Sequence, residues 1–353
     1  MRSRHIEIAV VSPLAEEWAA VCNRITKALP VDDSPLPAIE GWIGAHSVVS
    51  AACGKGEPNT AAAVQFVSTR WQPRWIFLVG IAGGFPDKGV HRGDLVVGSF
   101  VYHIDFGKLV QGQYVRRPEN DFAPDRFLLA TAEIALQDSS SDWRSKISLK
   151  RPDGRKIERT KSHVGYVVSG DKVVDDVGQS FFRAVRATIP EAHAVEMEAA
   201  GAGAAVRLEQ ARRTVGFLMI RGISDEPRES QHTVGTGSEQ REQWKRFASD
   251  VSATFVENLI LRLPTSSRSS SKESDQKSEP TSVIQLLKKA RSLRESLTDE
   301  LAPDVDLILA RTEDMIRQES LFGSTESTRA AIWKALFDLH KLFLDEIGTG
   351  LFS

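Results

Sequence analysis

Residues 75–84 read Trp-Ile-Phe-Leu-Val-Gly-Ile-Ala-Gly-Gly, an apolar run from Trp75 to Ala82 that opens into glycines. The run is far shorter than the roughly 20 residues of a membrane span, so it reads as a strand, Trp75–Val79, buried on both faces. Glycines beyond such a strand let the backbone turn sharply and approach a ligand closely, although a plain tight turn has the same pattern. Gly80, Gly83 and Gly84 do not make G-x-G-x-x-G, so a dinucleotide site is not expected.

Outward from this run, short β-branched segments alternate with longer stretches whose apolar residues lie three and four apart. The pattern predicts strands at 6–11, 47–52, 75–79, 94–101, 163–169 and 214–221, and helices at 14–29, 59–71, 121–137, 179–187, 194–209 and 239–262. That order, largely βαβα, is the signature of an α/β fold with a sheet covered by helices. Residues 107–162, rich in Arg, Asp and Ser and holding Pro118, Pro124 and Pro152, read in part as a peripheral insertion.

Residues 265–281, TSSRSSSKESDQKSEPT, have no apolar periodicity and cannot bury enough surface to offset their ordering entropy. They predict a flexible Ser-rich linker between a domain over 1–264 and a small all-α unit over 282–353. In that second unit Val283, Leu286, Leu287, Ala290, Leu293, Leu297 and Leu301 form one helical stripe, and Pro303 opens a second helix with Val305, Ile308, Leu309, Thr312, Met315 and Ile316 on one face. A third is expected from about Thr325 to Ile347. No acid–base or metal spacing occurs there, so the unit reads as an interaction or oligomerisation module, or as plain packing.

Composition narrows the function classes. Among 353 residues, 45 Lys+Arg stand against 47 Asp+Glu, a formal net charge of −2 that gives no global field for nucleic acid or an anionic membrane. Cys22 and Cys53 are the two cysteines, which fits a reducing cytoplasm and excludes a disulfide framework. The opening MRSRHIEIAVV does not read as a signal peptide. The eight histidines show no metal-ligand spacing, so neither a metal nor another cofactor is expected.

Three further segments sit where open α/β sheets place ligand crevices, at strand ends and helix starts: Ser169-Gly170-Asp171, Val195-Glu196-Met197-Glu198-Ala199-Ala200 and Arg221-Gly222-Ile223-Ser224-Asp225. Glu196 and Glu198 open a helix rich in Ala and Gly, where carboxylates complement the helix dipole. A carboxylate there can instead accept both hydroxyls of a ribose while Met197 packs on the sugar. Asp225, before Glu226-Pro227, is either a turn aspartate or an acid able to protonate a leaving heterocycle. Arg221 can hold Glu196 or another carboxylate in place.

Taken in order, AVVSPLAEEW, GKGEPNTAAA, GIAGG, GDLVVGSFVYHID, VSGDKVV, AVEMEAAG and RGISD resemble the nucleoside phosphorylase/nucleosidase superfamily, and within it the 5′-methylthioadenosine/S-adenosylhomocysteine nucleosidases, over residues 5–263. The resemblance implies a single domain with a central twisted mixed sheet that cleaves the N-glycosidic bond of a purine nucleoside. By motif, Glu17 falls on the water-activating glutamate, Ala82 and Gly83 on the glycine loop lining base and ribose, and Val173 and Val174 on the base pocket, where a valine stands in place of the usual stacking aromatic. Met197 and Glu198 fall on the ribose clamp, Asp225 on the acid that protonates N7, and Ser224 on the residue that orients it. His103 and Asp105 match a segment near the pocket rim.

Phosphorylases of that superfamily bind phosphate through an arginine and a serine around the glycine loop; here those positions are Leu78 and Ile81. Neither side chain binds an oxyanion and Glu17 repels one, which favours water, with Arg92 as a cation able to keep phosphorolysis open. The resemblance implies an adenine nucleoside of the methylthioadenosine/S-adenosylhomocysteine kind or a nucleotide as substrate; a nucleotide needs cations near its 5′ position, for which Lys55, Arg92, Lys108, Arg116 and Arg117 are the candidates, with a solvated face as their alternative reading. Nucleosidase domains fused to helical modules resemble bacterial defence effectors, so a protein partner for 282–353 is expected, and the superfamily's usual dimers or higher assemblies imply a homo-oligomer. A catalytically silent nucleoside sensor, or a scaffold built on the tail, are the competing readings.

Overall fold

The computed structural model describes residues 6–32, 34–111, 113–138, 142–172, 180–227, 236–265, 283–295, 297, 302–322, 335 and 339. They fall in two compact units, 1–267 and 268–353.

The first unit is built on a nine-stranded mixed sheet in the order β10-β9-β6-β11-β5-β1-β4-β3-β2. The strands are β1 (Ile8–Ser12), β2 (Thr26–Pro30), β3 (Ala38–Ile43), β4 (His46–Ala52), β5 (Trp75–Gly84), β6 (Leu95–His103), β9 (Ser162–Ser169), β10 (Ala194–Glu196) and β11 (Gly216–Asp225), while β7 (Gly107–Val110) and β8 (Gln113–Arg116) form a separate hairpin. The helices are α1 (Ala15–Cys22), α2 (Glu57–Trp71), α3 (Arg126–Gln137), α4 (Ser180–Thr188), α5 (Ala199–Gln210) and α6 (Thr236–Ile260). β1, β4, β5 and β11 run parallel, and β6 joins antiparallel to β11.

β5 is buried along its whole length, and its side chains alternate between two cores. Ile76, Leu78 and Ala82 pack with Val64 and Val67 of α2 and Ala202 and Val206 of α5. Trp75, Phe77 and Val79 pack with Val21 of α1, Leu128 and Ala132 of α3, and Phe247, Phe255 and Val256 of α6. The result is helix, sheet, helix.

The glycines do not form a turn after β5; the strand continues through them, pairing first with β11 and then antiparallel with β10. Because β10 also pairs with β9, the strands β10-β9-β6-β11-β5 close on themselves. The small residues permit that change of partner: a Cβ on Gly84 would lie 2.8 Å from Ile223 and 2.9 Å from Val90.

Three expected helices are shorter. The segment predicted as helix 14–29 leaves helix after Cys22 and becomes β2, an edge strand exposed at every position and so without the alternation that marks a strand. The expected helix 121–137 begins at Arg126, where Asp125 caps it by accepting from the Leu128 amide at 2.9 Å. The expected helix 194–209 opens as β10, and helix starts only at Ala199 because the Glu196 carboxylate accepts from the Glu198 and Ala199 amides.

In the second unit, α7 (Val283–Arg294) and α8 (Ala302–Phe322) bury Leu287, Ala290, Val305, Leu309 and Thr312 and are tied by Arg291–Glu313 and Arg294–Asp306 ion pairs. Apart from Ala335 and Leu339, the expected third helix lies outside the described residues, as do Val173 and Val174 and nearly all of the expected linker.

Candidate active site

Residues from the carboxyl ends of β1, β4, β5, β9, β10 and β11 converge on one cleft, lined by Leu14, Glu17, Lys55, Ile81, Gly83, Lys172, Val195, Glu196, Met197, Glu198, Asp225 and Arg241, among others. A crevice at the strand ends of an α/β sheet is the expected place for a small ligand.

Glu17 stands on the first turn of α1. One carboxylate oxygen accepts from the Leu14 amide at 2.5 Å and the other from the Ile81 amide at 2.7 Å, so α1 and the end of β5 fix it together. It is buried, and burial pushes its pKa up to about 7; Arg221 opposes that rise and Glu198 adds to it. The carboxylate is therefore poised to take or release a proton near neutral pH.

Beneath it lies Arg221, on β11, with no solvent exposure. Its guanidinium pairs with Glu196 and, at 3.2 Å, with Glu198. Desolvation works against this cation, yet three carboxylates around it, Glu196, Glu198 and Glu17, hold its pKa above the ordinary value. Gly80 makes the assembly possible: a Cβ there would lie 2.2 Å from Arg221 Nη1 and 2.6 Å from Glu17 Oε1.

Glu196 and Glu198 have different work. Glu196 is consumed by the start of α5 and by Arg221. Glu198 accepts from the Gly56 amide at 3.1 Å, and burial raises its pKa despite Arg221. Met197, between them, lines the cleft without being fully buried.

Asp225 comes from the last residue of β11, where a bulge after Ile223 shifts the register so that Asp225 pairs with Gly83. Ser224 Oγ donates to Asp225 Oδ1 at 2.6 Å. Arg241, on α6, reaches the same carboxylate through Nε at 3.3 Å and Nη2 at 3.1 Å. Ala82 is buried behind the lining and accepts from Ser224 through its carbonyl at 3.4 Å.

The structure thus brings Glu17, Gly83, Glu196, Met197, Glu198 and Asp225 to one cleft, with Ala82, Arg221 and Ser224 directly behind them. Of the candidate 5′ cations, Lys55 lines the cleft; Arg116 pairs with Asp121 at 2.6 Å, and Arg92 lies 3.7 Å from Glu226 and over Trp244. His103 pairs with Glu57 at 3.0 Å, and Asp105 accepts from the Asp171 amide and from Lys172. Both brace the cleft's rim. Arg241 was not legible: it lies 16 positions beyond Asp225 along the chain, and no motif marks it. Among the described residues no group of three or more His, Cys, Asp or Glu could hold a metal ion. No helix among them is long and apolar enough to cross a membrane.

The family model for the phosphorylase superfamily matches residues 7–260, nearly the whole first unit. This chain belongs to the phosphorylase superfamily. Among its relatives in the superfamily, a 5′-methylthioadenosine/S-adenosylhomocysteine nucleosidase of Marinomonas sp. (strain MWYL1) is 27% identical over 259 residues, covering 72% of this chain and 97% of that protein. The superfamily fold recurs in solved structures. The nucleosidase of Neisseria meningitidis in complex with methylthio-immucillin-A matches with a TM-score of 0.58 and 24% identity, over 73% of this chain and 99% of that one. The adenine complex of the Colwellia psychrerythraea 34H nucleosidase gives 0.59 and 22%, over 74% and 96%. The futalosine hydrolase of Helicobacter pylori strain 26695 shares the fold, with a TM-score of 0.58 at 16% identity over 73% of this chain and 99% of that one.

Proposed function

We propose that this chain is a purine nucleosidase, an N-glycosyl hydrolase that releases the free base from an adenine nucleoside or nucleotide. The observation that carries the reading is the meeting, in one cleft, of a buried glutamate titrating near neutrality with a second carboxylate, Asp225, held by Ser224 and Arg241. The names of the relatives point the same way.

In this reading Asp225 first takes up a proton from solvent at the cleft's edge; the C1′–N9 bond then breaks with its electron pair passing to the purine, and Asp225 delivers that proton to N7. The sugar left behind is oxocarbenium-like and cationic at C1′, where surrounding carboxylates stabilise the developing charge. Water adds to C1′ and gives its proton to Glu17. Glu198 accepts from the ribose hydroxyls and Met197 packs on the sugar, while Arg221 aims Glu198 and opposes the rise that burial gives its pKa. Glu196 acts as a positioning residue, since its oxygens already serve α5 and Arg221.

Water is favoured over phosphate by charge. An oxyanion at the nucleophile position would face Glu17 and Glu198, and Ile81 there offers no side-chain donor, while Leu78 is buried in the core. Arg92, engaged with Glu226 and Trp244, is spent elsewhere. We further assign residues 282–353 an interaction role, with a homo-oligomer as the working assembly.

The test incubates the full-length protein and its Asp225→Asn variant with adenosine, methylthioadenosine, S-adenosylhomocysteine, AMP and ATP, with and without phosphate, and follows free base by chromatography. Phosphate-independent release that the variant loses is the expected result. Release that requires phosphate would replace hydrolysis by phosphorolysis, and tight binding without release would make the chain a sensor. Release only from a chain ending at residue 264 would make the helical unit a restraint.

A further inference from the structure

Eight of the 19 residues 143–161 are Lys or Arg and two are Asp or Glu, in a chain whose overall charge is −2. The structure divides the eight. Arg144 donates to Thr160 O at 2.7 Å and Ser162 Oγ at 2.6 Å, and Arg151 holds Asp153, Thr160 Oγ1 and Arg92 O while stacking on Trp244 and Phe247. These two fasten the segment to the domain. The other six, Lys146, Lys150, Arg155, Lys156, Arg159 and Lys161, are exposed, and among them Arg155 alone pairs with a described carboxylate, Asp153 at 3.9 Å. Arg155, Lys156 and Arg159 line one shallow groove with Gly154, whose φ of +69° turns the chain just before them.

Arg155, Lys156 and Arg159, three like charges along one groove of a fastened loop, repel one another, and a bound polyanion relieves that repulsion while releasing counterions. A protein partner would find little to bury, because Leu149 is the one exposed large apolar side chain in the segment and protein interfaces centre on apolar and aromatic residues. Interfacial membrane binding likewise draws on inserted apolar side chains. A phosphodiester backbone needs only the cations, with no base-reading groups.

We propose that residues 154–159 form a docking surface for the backbone of a nucleic acid, bound without sequence preference and independently of the nucleoside cleft. The near balance of charge over the whole chain conceals this surface. Its fastening leads back towards the cleft, since Arg151 contacts Arg92 and Trp244, and Arg92 contacts Glu226, the neighbour of Asp225.

The test measures fluorescence anisotropy of labelled single- and double-stranded DNA and RNA with the full chain at several salt concentrations. The triple variant Arg155→Gln/Lys156→Gln/Arg159→Gln serves as the comparison, with thermal melting to show that it folds. The expected result is binding in the range of about 10⁻⁴–10⁻⁶ M near physiological salt, and a log K against log salt slope about 2–3 units shallower in the variant. No binding at low salt, or a slope unchanged by the triple substitution, would overturn the proposal. So would binding to phosphatidylserine vesicles with none to nucleic acid, which would reassign the surface to a membrane. Base release from nucleosides, followed in parallel, is expected to be equal in both proteins.

Discussion

The two sides of the cleft solve the problem of keeping a carboxylate out of water in different ways. On the Glu17 side, three glutamates surround one guanidinium that is itself fully buried; burial raises the pKa of Glu17 and of Glu198, and a neighbouring glutamate adds to each rise. On the Asp225 side, one aspartate meets one arginine whose side chain is about a quarter exposed. The first arrangement is rigid and frustrated, suited to a group that must gain a proton. The second is balanced and open to solvent at its edge. Burial sets the direction of the shift, and the cations a carboxylate shares moderate it.

The largest effect on activity is expected from Asp225→Asn, which removes the acid but keeps the shape: base release should fall by about 10²–10⁴-fold with melting nearly unchanged. A fall of less than tenfold would place the proton donor elsewhere. The Glu17 side should answer in stability as well. Arg221→Met leaves buried glutamates without their cation and is expected to cost about 3–5 kcal/mol in denaturant unfolding. By contrast, Arg241→Met removes a partly exposed partner and should cost no more than about 1 kcal/mol, so equal losses in the two variants would erase the distinction drawn above.

Gly80→Ala should damage the Glu17 side through shape, because its methyl would enter the space held by Arg221 Nη1 and Glu17 Oε1. Melting and base release should both drop, and an active, stable variant would mean the cluster adapts freely.

The smallest expected effect is on pH dependence. Glu17 must be ionised to accept a proton from water, so with a pKa near 7 the rate should rise with pH up to about 7, and the residual rate of Glu17→Gln should lack that limb. Stability moves oppositely. Between its ordinary value of 4.5 and about 7 the folded state holds a proton that the unfolded chain has released, so this contribution declines as pH rises through that window. A rate profile flat from pH 5 to 8 would remove Glu17 from the role of base.

Much of the fold was legible because burial on both faces leaves long apolar runs: 75–84 and 216–225 are strands in the structure at nearly the positions their apolar cores announce. β2 was not, since an edge strand with every side chain exposed carries no alternation. β10 was not, because three residues cannot set a period and the helical pattern of α5 runs into it. Within the cleft, Glu17, Met197, Glu198 and Asp225 stand in short motifs that mark them as candidates. Arg241 stands in an ordinary charged stretch of α6, and only the packing of α6 against β11 brings it to Asp225.

By itself, the sequence determined which segments must be buried and which short motifs lie at their ends, since solubility and periodicity are properties of neighbours along the chain. It also determined that Gly80 carries no side chain. The tertiary structure alone decided why that matters: Arg221, Glu17 and Gly80 come from three separate elements, and their meeting fixes the pKa of Glu17 through desolvation and charge in three dimensions. The same holds for the basic loop, where identical residue types divide into two cations that fasten it and six that face solvent. Charge is written in the sequence, but whether a charge is spent or available depends on what the fold sets beside it.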